Sequence, residues 1–434
     1  MKTRNMLPRT ANPLVSFLLG LLLLAACKKE TEEPAAPTSY PDKIVLREVQ
    51  AAGDSVNLTW TQLDNSAFVS YTIQRKTADE TLPTGIHQQF TPTAVSYVDI
   101  TVPYVAAVSY QVVAQLNNGQ SIYSNIVSYE RANIKSLAIA PFDVQFQPAG
   151  RQLYFFEQSG KIYKYDLATE RIVATVATSA TIGYSDFAIY GGREELYVPR
   201  NDGWVFIYDA ATLTKIDQLS VGSAATCVVA NNGLLFVSNS AWTNRPLKVY
   251  NRATKQLVAE TGDFDRTRFK RIPGSNTELL EISLYIGPTD QDYYSFSSAG
   301  VFQTHRNDTY HGDYPLDATI FEFFPNADRY ITSSAGAIYR RDMTYETTLP
   351  RGNKEFTTFG FDAAAQLLYA GTRTRSVEVY TMNGYNHSRT IATKAYPFRL
   401  FKDPAAAGFI CVSSVTPTAQ YGPISTGITI EQVR

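Results

Sequence analysis

Tyr165-Asp166-Leu167-Ala168-Thr169, Tyr208-Asp209-Ala210-Ala211-Thr212 and Tyr250-Asn251-Arg252-Ala253-Thr254 are three copies of one pattern. An aromatic residue ends an apolar run, and a short polar turn follows. Weaker copies stand at Phe296, Tyr339 and Tyr380, so the intervals are 43, 42, 46, 43 and 41 residues. A second marker lies upstream of each: Leu153-Tyr154-Phe155, Leu196-Tyr197-Val198, Leu235-Phe236-Val237, Leu279-Leu280, Tyr330-Ile331, Leu368-Tyr369-Ala370 and Phe409-Ile410-Cys411. That makes seven repeats of four short strands across residues 131–434. A period just above 40 at this strand density predicts a β-propeller. The reason is burial. One four-stranded sheet is apolar on both faces and cannot cover either alone, whereas a closed ring of sheets covers both. The last repeat offers only three strands (397–401, 408–412 and 427–431), and residues 134–138 are expected to supply its missing outer strand.

The first three copies resemble the YVTN/quinoprotein-like repeat class of seven-bladed propellers, whose blades read Leu-Tyr-Val, a turn, then a strand ending Tyr-Asp-x-x-Thr. The fourth repeat departs most from that pattern. The resemblance implies a binding or scaffolding role, or an enzyme of the lactonase, lyase or quinoprotein-like kind with carboxylates at the channel mouth.

Upstream, residues 41–130 carry period-2 strands at sandwich spacing. These are Lys43 to Val49, Ser55 to Trp60, Ser70 to Arg75, Ser96 to Asp99, Ser109 to Ala114 and Asn125 to Ser128. With Trp60 as the core tryptophan of the second strand, Tyr71 and Ile73 in the third, and Tyr110-Gln111-Val112-Val113-Ala114 leading to Asn118-Gly119, this segment resembles a fibronectin type III domain. The resemblance implies a spacer or binding unit without catalytic residues. The stretch 79–96 has no assignable pattern. The fold class expected for the whole chain is therefore all-β, an immunoglobulin-like sandwich followed by a seven-bladed β-propeller.

The N-terminus has a different character. Lys2, Arg4 and Arg9 precede a 13-residue apolar run, Leu14–Ala26, that ends in Leu24-Ala25-Ala26-Cys27. The run is shorter than the roughly 20 residues a membrane span needs. It resembles a bacterial lipoprotein signal with its lipobox. That implies cleavage after residue 26, acylation of Cys27, and anchoring in the cell envelope as an outer-membrane lipoprotein, facing either the surface or the periplasm. Residues 27–40 include Lys28-Lys29-Glu30-Thr31-Glu32-Glu33-Pro34, a charged, proline-bearing stretch expected to be a tether. It is similar to the surface-export tag of some Gram-negative lipoproteins.

The formal charge is -1, and removing the three basic residues of the leader gives -1 - 3 = -4. A mildly acidic chain is a poor nucleic-acid binder, since nonspecific binding needs basic surface. Twenty-eight Tyr and 23 Phe against 4 Met favour strands over helices. Beyond Cys27 only Cys227 and Cys411 remain. Both lie in apolar runs, so they are expected as small buried residues without zinc-type spacing.

In a propeller the loops between sheets and those joining the middle strands share one face, the default binding surface of the fold. Ten residues are the candidate ligand contacts there: Tyr184, Arg200, Asp202, Trp242, Asn244, Arg245, His305, His311, Arg373 and Arg375. The ligand expected is a protein or a glycan, bound by a monomer anchored to the membrane. The run His305–Asp313 holds two of the four histidines, but its spacing matches no ligand motif. Asp263, Asp265, Asp290 and Asp292 are Asp-x-Asp pairs lacking the glycine and distal glutamate of a calcium loop. No metal or cofactor is expected. Gly183-Tyr184-Ser185-Asp186 begins like a nucleophile elbow and fails at the second glycine. Convergence of the aspartates and both histidines on one cavity would favour the enzyme.

Overall fold

A computed structural model describes residues 39–434 apart from 53–54, 79, 241–244 and 418–426. The described residues form strands and connecting segments with no helix. Cys27, and with it the leader and nearly all of the tether, lies outside them, as do Trp242 and Asn244.

Two sheets share one core in the N-terminal unit. Gln50–Ala52, Ser55–Thr59 and Ser96–Asp99 form one. Val127–Glu130, Ala107–Leu116, Phe68–Thr77 and Thr84–Gln89 pair in that order in the other, and Ser121–Tyr123 also pairs with Ala107–Leu116. Alternation decides which side chains meet. Val56, Leu58 and Trp60 from the first sheet pack on Tyr71, Ile73, Tyr110 and Val112 of the second. The Trp60 ring stands edge-on to Tyr71 at 5.5 Å. The stretch with no readable pattern contains the edge strand Thr84–Gln89. Its side chains are mostly exposed, so it needs no apolar alternation to be a strand. Residues 43–49, expected as a strand, run beside 59–61 through a single bridge at Leu46–Trp60, and the regular strand begins at Gln50.

Among the described residues, the repeat region contains six antiparallel sheets of four strands and one of three. The four-stranded sheets span 143–177, 186–220, 225–261, 267–306, 321–348 and 356–392, and the three-stranded sheet spans 396–433. Every neighbouring pair shares a core, and the last sheet shares one with the first. There Ile410, Val412 and Ile428 pack on Val144, Leu153, Phe155 and Tyr165. The first strands of all seven sheets line one central cavity of about 310 Å³. Sheets packed face to face around a common axis are the architecture of a β-propeller.

The marker now has a physical account. Tyr165, Tyr208, Tyr250, Phe296, Tyr339 and Tyr380 each stand where the pairing of third and fourth strands shifts register. All six are buried. The next residue closes the hairpin turn: Asp166 Oδ1 accepts from the Thr169 amide (2.7 Å) and hydroxyl (2.9 Å), Asp209 does the same for Thr212, and Asn251 for the Thr254 amide. Glu170, Leu213 and Lys255 then take positive φ, which brings the chain back into the fourth strand. The turn also ties neighbouring sheets. Arg252 reaches the fully buried Glu195 of the preceding sheet at 2.9 and 3.1 Å and Asp217 at 2.8 Å.

Closure uses less backbone than the sequence suggests. Residues 134–138 form no regular outer strand. Leu137 bridges Ile428, donating its amide at 2.8 Å and accepting at 3.0 Å, and Gly427 donates to Ile139 at 3.1 Å. Immediately upstream the two units touch. The Tyr104 amide donates to the Val415 carbonyl (2.8 Å), Tyr396 donates to the Thr101 carbonyl (2.9 Å), and Arg375 donates to the Ile100 carbonyl. Tyr104, Ala395 and Val415 bury an apolar contact between them.

Two stability outcomes follow. Leu137→Pro removes the amide that ties 137 to 428. It is expected to cost about 1–3 kcal/mol and to lower the melting midpoint by several degrees in calorimetry. Glu195→Gln strips the buried Arg252 of its main partner and is expected to cost about 3 kcal/mol. Burial works to raise the Glu195 carboxyl, but Arg252, Tyr197 and Arg193 outweigh it and hold the pKa below the usual range. A depressed acid stabilises above its unfolded pKa, so this contribution is full at neutral pH. It fades as pH falls below about 4. The wild-type melting midpoint should drop there more steeply than that of Glu195→Gln.

Candidate functional site

The strand order puts the loops between sheets, and those between second and third strands, at one end of the ring. Backbone hydrogen bonds lace them together. Gly183 donates to Pro199, Ala225 to Arg200, Arg266 to Asn239, Leu284 to Arg266, Phe356 to Ser334 and Arg373 to Glu355. This loop face is therefore a fixed surface. The N-terminal unit docks on the same face at sheets six and seven, since Arg375, Ala395 and Val415 belong to its loops.

The candidate residues sort into different surroundings. Arg200 is buried. It grips Asp202 with two nitrogens, donates to the Thr178 carbonyl, and lies 3.8 Å from the Phe206 ring centroid. It joins the loop after sheet one to sheet two, while Asp202 stays partly exposed. Arg373 pairs with Glu355 of the adjoining loop at 2.7 Å. Arg375 holds the N-terminal unit. Tyr184 lines the central cavity beneath the Arg268 guanidinium, 4.1 Å from its ring centroid, and burial pushes its phenol up to about 12. Arg245 is exposed on the middle loop of sheet three. His311 is exposed at a positive φ, with Nδ1 3.1 Å from Asp290 Oδ1. His305 stacks on Tyr294, centroids 4.5 Å apart and planes 3° apart.

In the cavity, cations and anions face each other. Asp143 Oδ1 lies 3.5 Å from both Arg268 and Arg399, and Lys270 pairs with Glu322 at 2.7 Å. Asp186 accepts the Ala230 amide at 2.8 Å, and burial raises its carboxyl to about 6. Cys227 and Cys411 are buried free thiols, and Cys227 lines this cavity. The loop-face aspartates and the two clustered histidines do not line it.

Asp265 pairs with Arg266 at 3.5 Å, and the other three aspartates meet the histidines in two places. Asp290 meets His311 on the rim. Asp263, Asp292 and His305 come together at the edge between sheets three and four, with ligand atoms all within 4.8 Å of one another. Asp292 is fully buried opposite Glu281 in the sheet pairing. The Tyr294 hydroxyl lies 3.1 Å from Glu281 Oε1 and 3.1 Å from Asp292 Oδ2. A phenol has one proton to donate, so two ionised carboxylates cannot both be satisfied by it. Burial accordingly raises Asp292 to about 6, and burial together with Asp292 drives Glu281 well above the ordinary range.

Sequence reasoning missed Glu281 and Tyr294, which lie inside apolar strand runs. The available signal was a glutamate between Leu280 and Ile282. It also missed Tyr285, which is 81 % exposed on the 284–290 loop, and the aromatic group Tyr310, Tyr314 and Tyr345, with Tyr314 stacked on Tyr345 at 3.7 Å.

No family model and no curated protein matches the chain. Among solved structures, the crystal structure of the RRP9 WD40 repeats is similar to it. The TM-score is 0.52 at 11 % identity, covering 68 % of this chain and 96 % of that one. Identity this low carries the fold alone. The repeat region is a β-propeller.

Proposed function

We propose that the chain is a membrane-anchored, non-enzymatic binding lipoprotein. Its fibronectin type III-like sandwich holds a seven-bladed propeller of the YVTN/quinoprotein-like class off the cell envelope, and the propeller presents its loop face to a protein or glycan ligand. The observation that carries this reading is the hydrogen-bonded loop face, over which Tyr285, His311 and Arg245 stand exposed. An aromatic ring with a polar rim is suited to stacking on a sugar or anchoring a partner side chain. Because the N-terminal unit occupies the face at sheets six and seven, the ligand surface is assigned to sheets two to five. The mutual pairing of cavity charges, and the division of three aspartates and the two histidines between two places away from it, favour binding over the lactonase, lyase or quinoprotein-like alternative.

Two experiments test this. Cys27→Ser is expected to fold normally and to move from the membrane pellet to the soluble fraction. Continued pelleting would remove the anchor from the reading. On a glycan array, and in pull-downs from membrane extracts, Tyr285→Ala and Arg245→Ala are each expected to weaken capture about tenfold, or about 1.4 kcal/mol. Capture that both variants leave intact would move the ligand off this face.

A further inference from the structure

We propose that the edge between the third and fourth sheets is a binding site for a divalent transition-metal cation of the zinc class, with Asp292, His305 and Asp263 as its ligands. The three come from separate elements. Asp292 is on the third strand of sheet four, Gln291–Phe296, and His305 on the fourth, Phe302–Arg306. Asp263 comes from the loop that enters the sheet. An imidazole and two carboxylates, with no thiolate, suit zinc better than calcium or magnesium, which prefer all-oxygen shells.

A cluster of acids alone is no site, and here a second observation points to a ligand. Asp292 Oδ1 and Glu281 Oε2 are buried without any hydrogen-bond donor. His305 Nε2 lies 3.1 Å from Asp292 Oδ2 but is out of line for a hydrogen bond, so an ion pair is its one contact to that carboxylate. An orphaned buried acceptor costs about 1–3 kcal/mol, and more when charged. One cation held by Asp292, His305 and Asp263 gives the buried Asp292 carboxylate a partner.

The surroundings fit. Ligand atoms on one zinc ion lie about 3.3–3.6 Å apart, which the Nε2–Oδ2 pair already approaches. The exposed Asp263 is the arm that closes, and it gives the cation its route from solvent. Supporting contacts orient all three ligands. Asn307 donates to Asp263 Oδ2 at 3.1 Å, and Tyr294 both stacks under His305 and hydrogen-bonds Asp292. Glu281 adds negative charge behind the ligands. Three protein ligands leave a fourth position for water.

The test uses the full chain, stripped with chelator and titrated with zinc alone by calorimetry, with metal content read by mass spectrometry. One zinc per chain is expected, with a rise in melting temperature. His305→Ala and Asp292→Asn are each expected to weaken binding about 100-fold, and Asp263→Asn about tenfold. His311→Ala should bind as wild type, and equimolar calcium or magnesium should not compete. Asp263 and His305 lie at the exposed side, so their variants keep the test valid if Asp292→Asn fails to fold. The proposal is overturned by the absence of saturable one-to-one binding, by wild-type affinity in both His305→Ala and Asp263→Asn, or by loss of binding in His311→Ala instead.

Discussion

Every sheet of the repeat region has two apolar faces, and that is the constraint the rest of the structure answers. An antiparallel sheet can leave one face in water, but these strands read apolar on both sides, as Leu153-Tyr154-Phe155-Phe156 does. All four of those side chains are buried, and they split between two cores. Leu153 and Phe155 face the last sheet, while Tyr154 and Phe156 face the second. Alternation along one strand thus sends neighbouring residues to opposite neighbours in the ring. Removing any sheet would expose a face on each side of the gap, so the ring has to close.

Closure by side chains relaxes the demand on backbone pairing. The junction of last and first sheets is carried by an apolar core and a few amide bonds around Leu137, Ile139, Gly427 and Ile428. The bulged hairpins contribute to the same geometry. A bulge increases local twist, and one recurs at the buried aromatic of each four-stranded sheet. The polar turn beside it doubles as an inter-sheet tie where it carries a long cation, as in Arg252 to Glu195.

A ring held this way presents its loops as a surface rather than as independent segments. Arginines that look available in the sequence, Arg200, Arg373 and Arg375, are engaged in holding loops or the N-terminal unit in place. The groups free to meet a partner are the projecting ones, Tyr285 and Arg245 among them. The fourth sheet differs from the others in substance. Where Glu195, the buried acid between sheets two and three, is paired with Arg252, the fourth sheet buries Glu281 and Asp292 opposite each other, with the Tyr294 hydroxyl between them.

All-β class, repeat period and the position of each hairpin were legible in the chain because strand alternation and turn chemistry are local. An aromatic followed by Asp-x-x-Thr needs only its own few residues to make a bulged, side-chain-closed turn. The edge strand Thr84–Gln89 escaped because a solvated strand carries no apolar signal. The candidate site was legible only as residue types on one face. Whether Arg200 meets a ligand or a carbonyl, and whether Asp263 meets Asp292 and His305 some 29 and 42 residues further along, depends on how sheets stack around the axis. Stacking brings together residues that the sequence keeps tens of positions apart, and no local pattern encodes that distance.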